Sequence, residues 1–526
     1  MENLILLGFM GAGKSTVGAI IADRLGWDFV DLDEAISREA GRSVAELFET
    51  EGEHGFRARE KEALARACAR SHQVIAPGGG AVLDPDNVRL MAAAGTVVVL
   101  HAPPEKLWRR VQGTDRPLAQ DREGFLRRYR EREARYAAFP IRISTSFGHP
   151  GLAADAILSR CFGPSRTVRV ALGARSYEVS IEPNALASLG ERMGRVLKPG
   201  PCMVVTNPTV QRLYGEAAKR ALEAAGWEPV FGVVPDSEGA KSLKEAERLY
   251  DLAVERRLER QSPVVALGGG VVGDLAGFVA ATYQRGVPLV QVPTTLLSQI
   301  DSSVGGKVAV NHPRGKNLIG AFHQPALVVA DPLVLHSLSD REWRAGLAEL
   351  VKYGVILDAP FFDRLAADLP LLQERTLSAL VPAIARACEL KAQVVAEDER
   401  EGGLRAILNF GHTVGHAIEA VTRYRSFLHG EAVAIGMVAA GAIARELGMW
   451  AASEHERLVA WLKEAGLPVE IRNLPVRALM EAMAHDKKVQ DGRLHFVLSE
   501  AIGRVTLRSD VPGGVVEKVL RDLGAN

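Results

Sequence analysis

Three stretches of this chain set chemistry-bearing residues at spacings that matter. The first is Gly8-Phe9-Met10-Gly11-Ala12-Gly13-Lys14-Ser15, which fits G-x-x-x-x-G-K-[ST] between an apolar run, Leu4–Leu7, and the helical-looking Val17–Leu25. Glycines there let backbone N–H groups turn inward on phosphate oxygens. Lys14 can reach the β/γ oxygens and the Ser15 hydroxyl can ligate Mg²⁺. Gly11, Ala12, Gly13, Lys14, Ser15 and Thr16 are therefore the expected nucleotide contacts. GTPases, ATPases and small-molecule kinases all use such a loop, and the guanine-reading N-K-x-D motif is absent. The second stretch runs from Val264–Leu267 into Gly268-Gly269-Gly270-Val271-Val272-Gly273-Asp274. A strand, a glycine turn and a helix N-terminus can take a diphosphate; a tight structural turn would use the same residues, and the ordinary dinucleotide fingerprint is not matched. In the third, His412 and His416 stand four apart, on one helix face, and could share an ion. Glu349 and His429 are further donors. Hydrogen-bonded core histidines would show the same spacing, which does not choose among these ligands.

The elements that must hold these residues divide the chain. At 526 residues it is too long for one ordinary core. Residues 1–162 alternate apolar runs (Leu4–Leu7, Val74–Ala76, Val97–Leu100) with amphipathic segments, the rhythm of a parallel α/β domain. Residues 163–166, Gly-Pro-Ser-Arg, are the expected hinge. A second α/β part, 167–328, opens on period-two alternation at Val168, Val170 and Leu172 and at Tyr177, Val179 and Ile181. It continues through Met203–Val205, Val264–Leu267 and Leu289–Val292. Residues 329–526 are Ala/Leu-rich and mainly helical.

Composition narrows the partners. Lys+Arg and Asp+Glu balance to a net charge of +0, so no long-range field draws the chain to nucleic acid or an anionic membrane. Basic residues must act locally, in pockets. Four scattered cysteines, Cys68, Cys161, Cys202 and Cys388, suggest neither a disulfide framework nor a thiolate zinc site, and fit a reduced cytoplasm. No signal peptide precedes the first strand. The longest apolar run, Ala432–Ala444, is too short to span a bilayer and predicts a buried helix.

Around the phosphate loop, Asp31-Leu32-Asp33, Phe56-Arg57 with Glu60, Gly78-Gly79-Gly80, Arg116-Pro117-Leu118, and Arg132 with Tyr136 follow in order. In this order and at these intervals residues 1–162 closely resemble shikimate kinase. The resemblance implies that Asp31 supports Mg²⁺ with Ser15, and that Asp33 contacts the accepting hydroxyl as base or orienter. It implies that Arg57, Arg132 and the Gly79–Gly80 backbone hold shikimate, that Arg116 closes a lid over the phosphoryl group, and that Arg110 stacks on adenine. The physics agrees: phosphoryl transfer needs positioning and charge neutralisation, and arginine grips carboxylates in bidentate fashion.

From about Thr167 onward the chain resembles 3-dehydroquinate synthase. The matching segments are the glycine run, Thr294-Thr295, Asp301-Ser302-Ser303-Val304-Gly305-Gly306-Lys307, Gly315-Lys316-Asn317, the segments around Glu349 and Asn409–His416, Leu428-His429-Gly430-Glu431, and Asp486-Lys487-Lys488. The family implies Glu349, His412 and His429 as zinc ligands, cobalt being a possible substitute. It implies NAD contacts at Asp236, Glu238, Lys241, Gly269, Gly270, Asp274, Thr294, Thr295, Lys307 and Lys316. Lys307, Asn317, Lys352, Lys391, Arg405, Asn409 and Lys487 or Lys488 would hold the anionic groups of 3-deoxy-D-arabino-heptulosonate 7-phosphate. His416 would touch substrate, and Arg285 would reach the phosphate held by a neighbouring subunit, making a homodimer functional. Two rivals differ in class. One is a phosphate-loop kinase fused to another sugar-phosphate cyclase or a polyol dehydrogenase; the other is a nucleotide-sensing module that catalyses nothing. An intact acceptor pocket argues against the second.

Overall fold

A computed structural model describes residues 3–25, 27–114, 121–146, 149–162, 166–484 and 494–526. The chain divides into two compact units, 1–164 and 165–526. In the first, strands β1 (Asn3–Gly8), β2 (Asp28–Asp31), β3 (Gln73–Ala76), β4 (Thr96–His101) and β5 (Arg142–Ser144) form one parallel sheet in the order β2-β3-β1-β4-β5. β1 and β3 are buried at every residue, as the continuous apolar runs require of strands covered on both faces. The strand order reverses beside β1, and the loop Gly8–Gly13 emerges there before helix Lys14–Leu25, where open α/β sheets hold ligands.

The second unit begins with β6 (Arg166–Val170) and β7 (Tyr177–Ile181), then β8 (Pro201–Thr206), β9 (Glu228–Val233), β10 (Val264–Gly268) and β11 (Leu289–Pro293). A hairpin, β12 (Lys307–His312) and β13 (Gly315–Phe322), precedes β14 (Leu327–Ala330). The main sheet runs β6-β7-β14-β11-β10-β8-β9, parallel except between β6 and β7. β14 spans the expected break at 328/329, and Leu172 lies just past β6. Arg166 opens a strand; the rest of the expected hinge lies outside the described residues. The remainder is helical apart from one hairpin, β15 (Phe496–Ala501) and β16 (Arg504–Arg508), which the sequence reading did not anticipate. The run Ala432–Ala444 lies within helix His429–Glu446, buried at nearly every position.

All four cysteines are unpaired. Burial pushes the thiols of Cys202 and Cys388 up to about 12, so neither offers a thiolate at neutral pH. Among the described residues no helix is long and apolar enough to cross a membrane.

Candidate active sites

In the first unit a cavity of about 290 Å³ collects Lys14, Ser15, Asp31, Asp33, Phe48, Phe56, Arg57, Gly78–Gly80 and Arg132. Its nucleotide end is the loop after β1, with Gly11 and Gly13 at φ 81° and 91°, where a side chain would be strained. Lys14 Nζ donates to Gly8 O at 3.0 Å, curling over the loop. Ser15 Oγ donates to Asp31 Oδ2 at 2.5 Å, so the two groups expected at magnesium are adjacent. Asp31 also caps helix Leu32–Ala40 by accepting from Asp33 N at 3.0 Å, which fixes where Asp33 starts. Arg110, expected at adenine, donates to Gly11 O at 3.2 Å and to Thr145 O at 2.6 Å, beside the loop.

The acceptor end is carried by helix Val44–Cys68, started by a Ser43–Glu46 capping box. Arg57 donates to Glu60 Oε2 at 2.7 Å and to Glu53 Oε1 at 3.2 Å. Burial pushes the Glu60 carboxyl up, against the pull of Arg57. Arg132 Nη1 and the Tyr136 hydroxyl both donate to Gly79 O, at 3.1 and 2.7 Å. That fixes the Gly78–Gly80 turn with its carbonyl engaged. Arg116 lies outside the described residues.

In the second unit helix Gly270–Thr282 starts directly after β10, with Gly269 as its N-cap. Beside it Lys241 Nζ donates to Asp274 Oδ2 at 2.6 Å and to Asn317 Oδ1 at 2.5 Å. Asp236 accepts from Asn207 Nδ2 at 2.9 Å, and Glu238 from Asn311 Nδ2 at 2.8 Å with Lys316 Nζ 3.8 Å away. Thr294 N donates to Gly268 O at 3.0 Å, placing the threonine pair against the glycine turn. The structure therefore brings most of the expected nucleotide residues together, and it puts Asn317, expected at substrate, in the same network.

Three helices converge on the metal candidates. Asp340–Leu357, begun by a Ser339–Glu342 capping box, carries Glu349; His412–Val421 and His429–Glu446 begin with the two histidines. Glycine makes their approach possible: a Cβ on Gly430 would lie 1.9 Å from Ala345 O, and one on Gly436 1.9 Å from Gly411 O. His412 Nε2 and His429 Nε2 stand 3.6 and 3.7 Å from Glu349 Oε1. Their Nδ1 atoms face Phe410 O and Glu419 Oε2, each at 3.1 Å. Glu349 is fully buried; Lys352 Nζ lies against Oε2, yet neither carboxylate oxygen has a donor in hydrogen-bonding geometry. A buried anion so placed, faced by two Nε2 atoms, fits a divalent cation with imidazole and carboxylate ligands. The three donor atoms lie within 4.8 Å of one another, as do those of His416, Glu419 and His429.

Charged groups surround this centre. Lys391 donates to Asp301 O at 2.6 Å and also meets its carboxylate, which accepts from Tyr353 at 3.0 Å. Burial alone would raise the Asp301 carboxyl; Lys391 and Lys352 hold it well below the usual range. Asp301 lies in a π-helical turn, Ser298–Ser302, an irregularity frequent at functional sites. Lys307 Nζ meets Glu401 Oε2 at 2.5 Å, and Asn409 Nδ2 donates to Glu401 Oε1 at 3.2 Å. Arg405, 2% exposed, donates to Glu399 O and Gly305 O at 2.5 and 3.1 Å. Arg285 is exposed and is the second of two successive left-handed residues, at φ 66°. Lys487 and Lys488 lie outside the described residues.

Asp301, Glu401 and Glu419 were not among the sequence candidates. Glu419 carried a signal: it follows His416 by three, on the face that His412 and His416 share.

The family model described as shikimate kinase matches residues 10–161. Those described as 3-dehydroquinate synthase N-terminal and C-terminal match 231–345 and 346–489. A 3-dehydroquinate synthase of Nostoc punctiforme is 50% identical over 68% of this chain and 99% of its own length. That of Gloeobacter violaceus is 51% identical over 68% and 99%. Among solved structures, a 2-epi-5-epi-valiolone synthase from Streptomyces hygroscopicus with NAD⁺ and Zn²⁺ bound is 31% identical. Its TM-score is 0.62, over 67% of this chain and 98% of that one.

Proposed function

The chain belongs to the 3-dehydroquinate synthase family and carries a shikimate kinase domain ahead of it, and on that premise we propose that its residues work as two independent anion-handling sites. The protein phosphorylates shikimate from ATP, and it converts 3-deoxy-D-arabino-heptulosonate 7-phosphate to 3-dehydroquinate and phosphate. Identity near 50% to dehydroquinate synthases, against 31% to a valiolone synthase, favours this substrate over those of related cyclases.

In the kinase, Ser15 and Asp31 hold Mg²⁺, which neutralises phosphate charge. Lys14 swings from Gly8 O to the terminal phosphates. Asp33 orients the accepting hydroxyl and takes its proton, while Arg57 and Arg132 grip the carboxylate and Arg116 covers the phosphoryl group. In the synthase, Glu349, His412 and His429 hold zinc, and the Lys241–Asp274 network with the Gly269–Gly270 turn holds NAD. When bound, zinc supplies Lewis acidity to a substrate hydroxyl and NAD takes up and returns a hydride. Lys352, Lys391, Arg405 and Asn409 orient the sugar acid, with Lys307 released from Glu401 as substrate arrives. His416 touches substrate on the metal side. The departing phosphate, held by Lys487 or Lys488 and by Arg285 of a second copy, takes the proton itself. The homodimer and a cytoplasmic location complete this reading.

The observation that carries it is the meeting of Glu349, His412 and His429, drawn from three helices far apart in sequence, around one buried carboxylate oxygen. A reciprocal knock-out tests it. Lys14→Met abolishes shikimate-dependent ADP formation and leaves phosphate release from the heptulosonate phosphate intact; Glu349→Ala does the reverse. Loss of both activities in either variant contradicts two independent sites.

A further inference from the structure

We propose that Glu419 is a positioning residue of the metal centre, fixing the tautomer and ring plane of His429 so that its Nε2 faces Glu349. This rests on the reading of Glu349, His412 and His429 as ligands. Glu419 is 5% exposed, and its Oε2 is 3.1 Å from His429 Nδ1. A carboxylate only accepts, so Nδ1 carries the hydrogen and Nε2 keeps the lone pair that a metal needs. His412 reaches the same tautomer through a neutral acceptor, Phe410 O, also at 3.1 Å. The two histidines are thus oriented by unequal partners, one a backbone carbonyl and one a buried anion.

The same geometry separates the two possible donor sets. His416, Glu419 and His429 also approach within 4.8 Å, but there Glu419 Oε2 already faces His429 Nδ1 at 3.1 Å. With Nδ1 engaged by Glu419, Nε2 is the nitrogen left to a metal, and it faces the buried Glu349 Oε1, which has no hydrogen-bond donor. Glu419 therefore orients and does not ligate. Its other oxygen, Oε1, lies 3.7 Å from Lys316 Nζ, which is 3.8 Å from Glu238 Oε1 and 3.8 Å from the Tyr424 ring centroid. The β12–β13 hairpin so steadies the carboxylate from its far side.

The test is zinc affinity of the metal-free full-length chain, measured by chelator competition, together with the visible absorption of the cobalt-loaded chain. Glu419→Ala is expected to weaken zinc binding about 10- to 100-fold, the usual effect of removing an orienting partner of a ligand histidine. Glu419→Gln keeps an acceptor oxygen without the charge and should lose about three- to tenfold; it carries the test should the alanine variant not fold. Both should shift the cobalt bands, which a merely structural role would leave in place in the folded protein. His412→Ala is the reference. If it binds zinc as tightly as wild type, the metal reading fails and this proposal with it. If it loses zinc while both Glu419 variants keep wild-type affinity and spectrum, Glu419 alone is overturned.

Discussion

Around the kinase cavity the cations rest largely on backbone carbonyls: Lys14 on Gly8, Arg110 on Gly11 and Thr145, Arg132 on Gly79. In the synthase four lysines lie against carboxylates instead, Lys241 on Asp274, Lys307 on Glu401, Lys352 on Glu349 and Lys391 on Asp301, while Arg405 rests on the carbonyls of Glu399 and Gly305. Arg57 lies between the carboxylates of Glu53 and Glu60. A cation on a carbonyl keeps its net charge for an arriving anion. A cation on a buried carboxylate is compensated until a ligand displaces the partner, and removing it strands a charge at low dielectric. Both sites handle anions, and they differ in where charge balance is kept before substrate arrives.

The sharpest way to break this comparison is a matched pair of lysine substitutions. Lys352 is 1% exposed against a fully buried Glu349. Lys352→Met should destabilise the metal-free synthase unit by about 3–5 kcal/mol in denaturant unfolding. Lys14→Met should cost the kinase about 10²- to 10³-fold in turnover while moving its unfolding by roughly 0.5 kcal/mol or less. Equal destabilisation by the two would erase the distinction.

Arg57 probes a cation of the kinase cavity that is paired with carboxylates. Arg57→Ala should raise the shikimate KM about 30- to 100-fold, the worth of charge-assisted hydrogen bonds, and leave the ATP KM nearly unchanged. An equal rise for both substrates would remove Arg57 from the acceptor pocket.

His336 shows what burial without a countercharge does. Burial, and then nearby Arg375, lower its pKa to about 4. The folded state therefore holds fewer protons than the unfolded chain as pH falls from about 6.5 to 4, and stability is lost across that window. In His336→Phe the unfolding free energy relative to wild type should improve by roughly 2 kcal/mol over the same range. A pH-independent difference would contradict the burial account.

Much of the fold was legible because its central strands are buried on both faces. Leu4–Leu7 and Val264–Leu267 read as apolar runs and became β1 and β10. The β12–β13 hairpin was not: Leu318 and Phe322 are exposed, and Ile319 and Ala321, on the face that packs on the core, are only partly buried. β15–β16 was hidden by the helical composition around it. The phosphate loop was readable outright, because its function is local. The metal centre was readable only as candidates: Glu349 and His429 are separated by four intervening α-helices, and nothing in their spacing says that Gly430 lets the backbone of Ala345 come close. Asp301 and Glu401 escaped because their role is to balance cations brought near by folding, which no sequence interval records.

The central claim is that a single metal centre built from Glu349, His412 and His429 runs the synthase and leaves the kinase untouched. Phosphate release from the heptulosonate phosphate, followed through chelation and zinc add-back, tests it most directly. Wild type should lose synthase turnover on chelation and regain it with zinc, His412→Ala should stay inactive in both conditions, and shikimate-dependent ADP formation with Mg²⁺ resupplied should not change. Synthase turnover that survives chelation, or zinc rescue of His412→Ala equal to that of wild type, would contradict it.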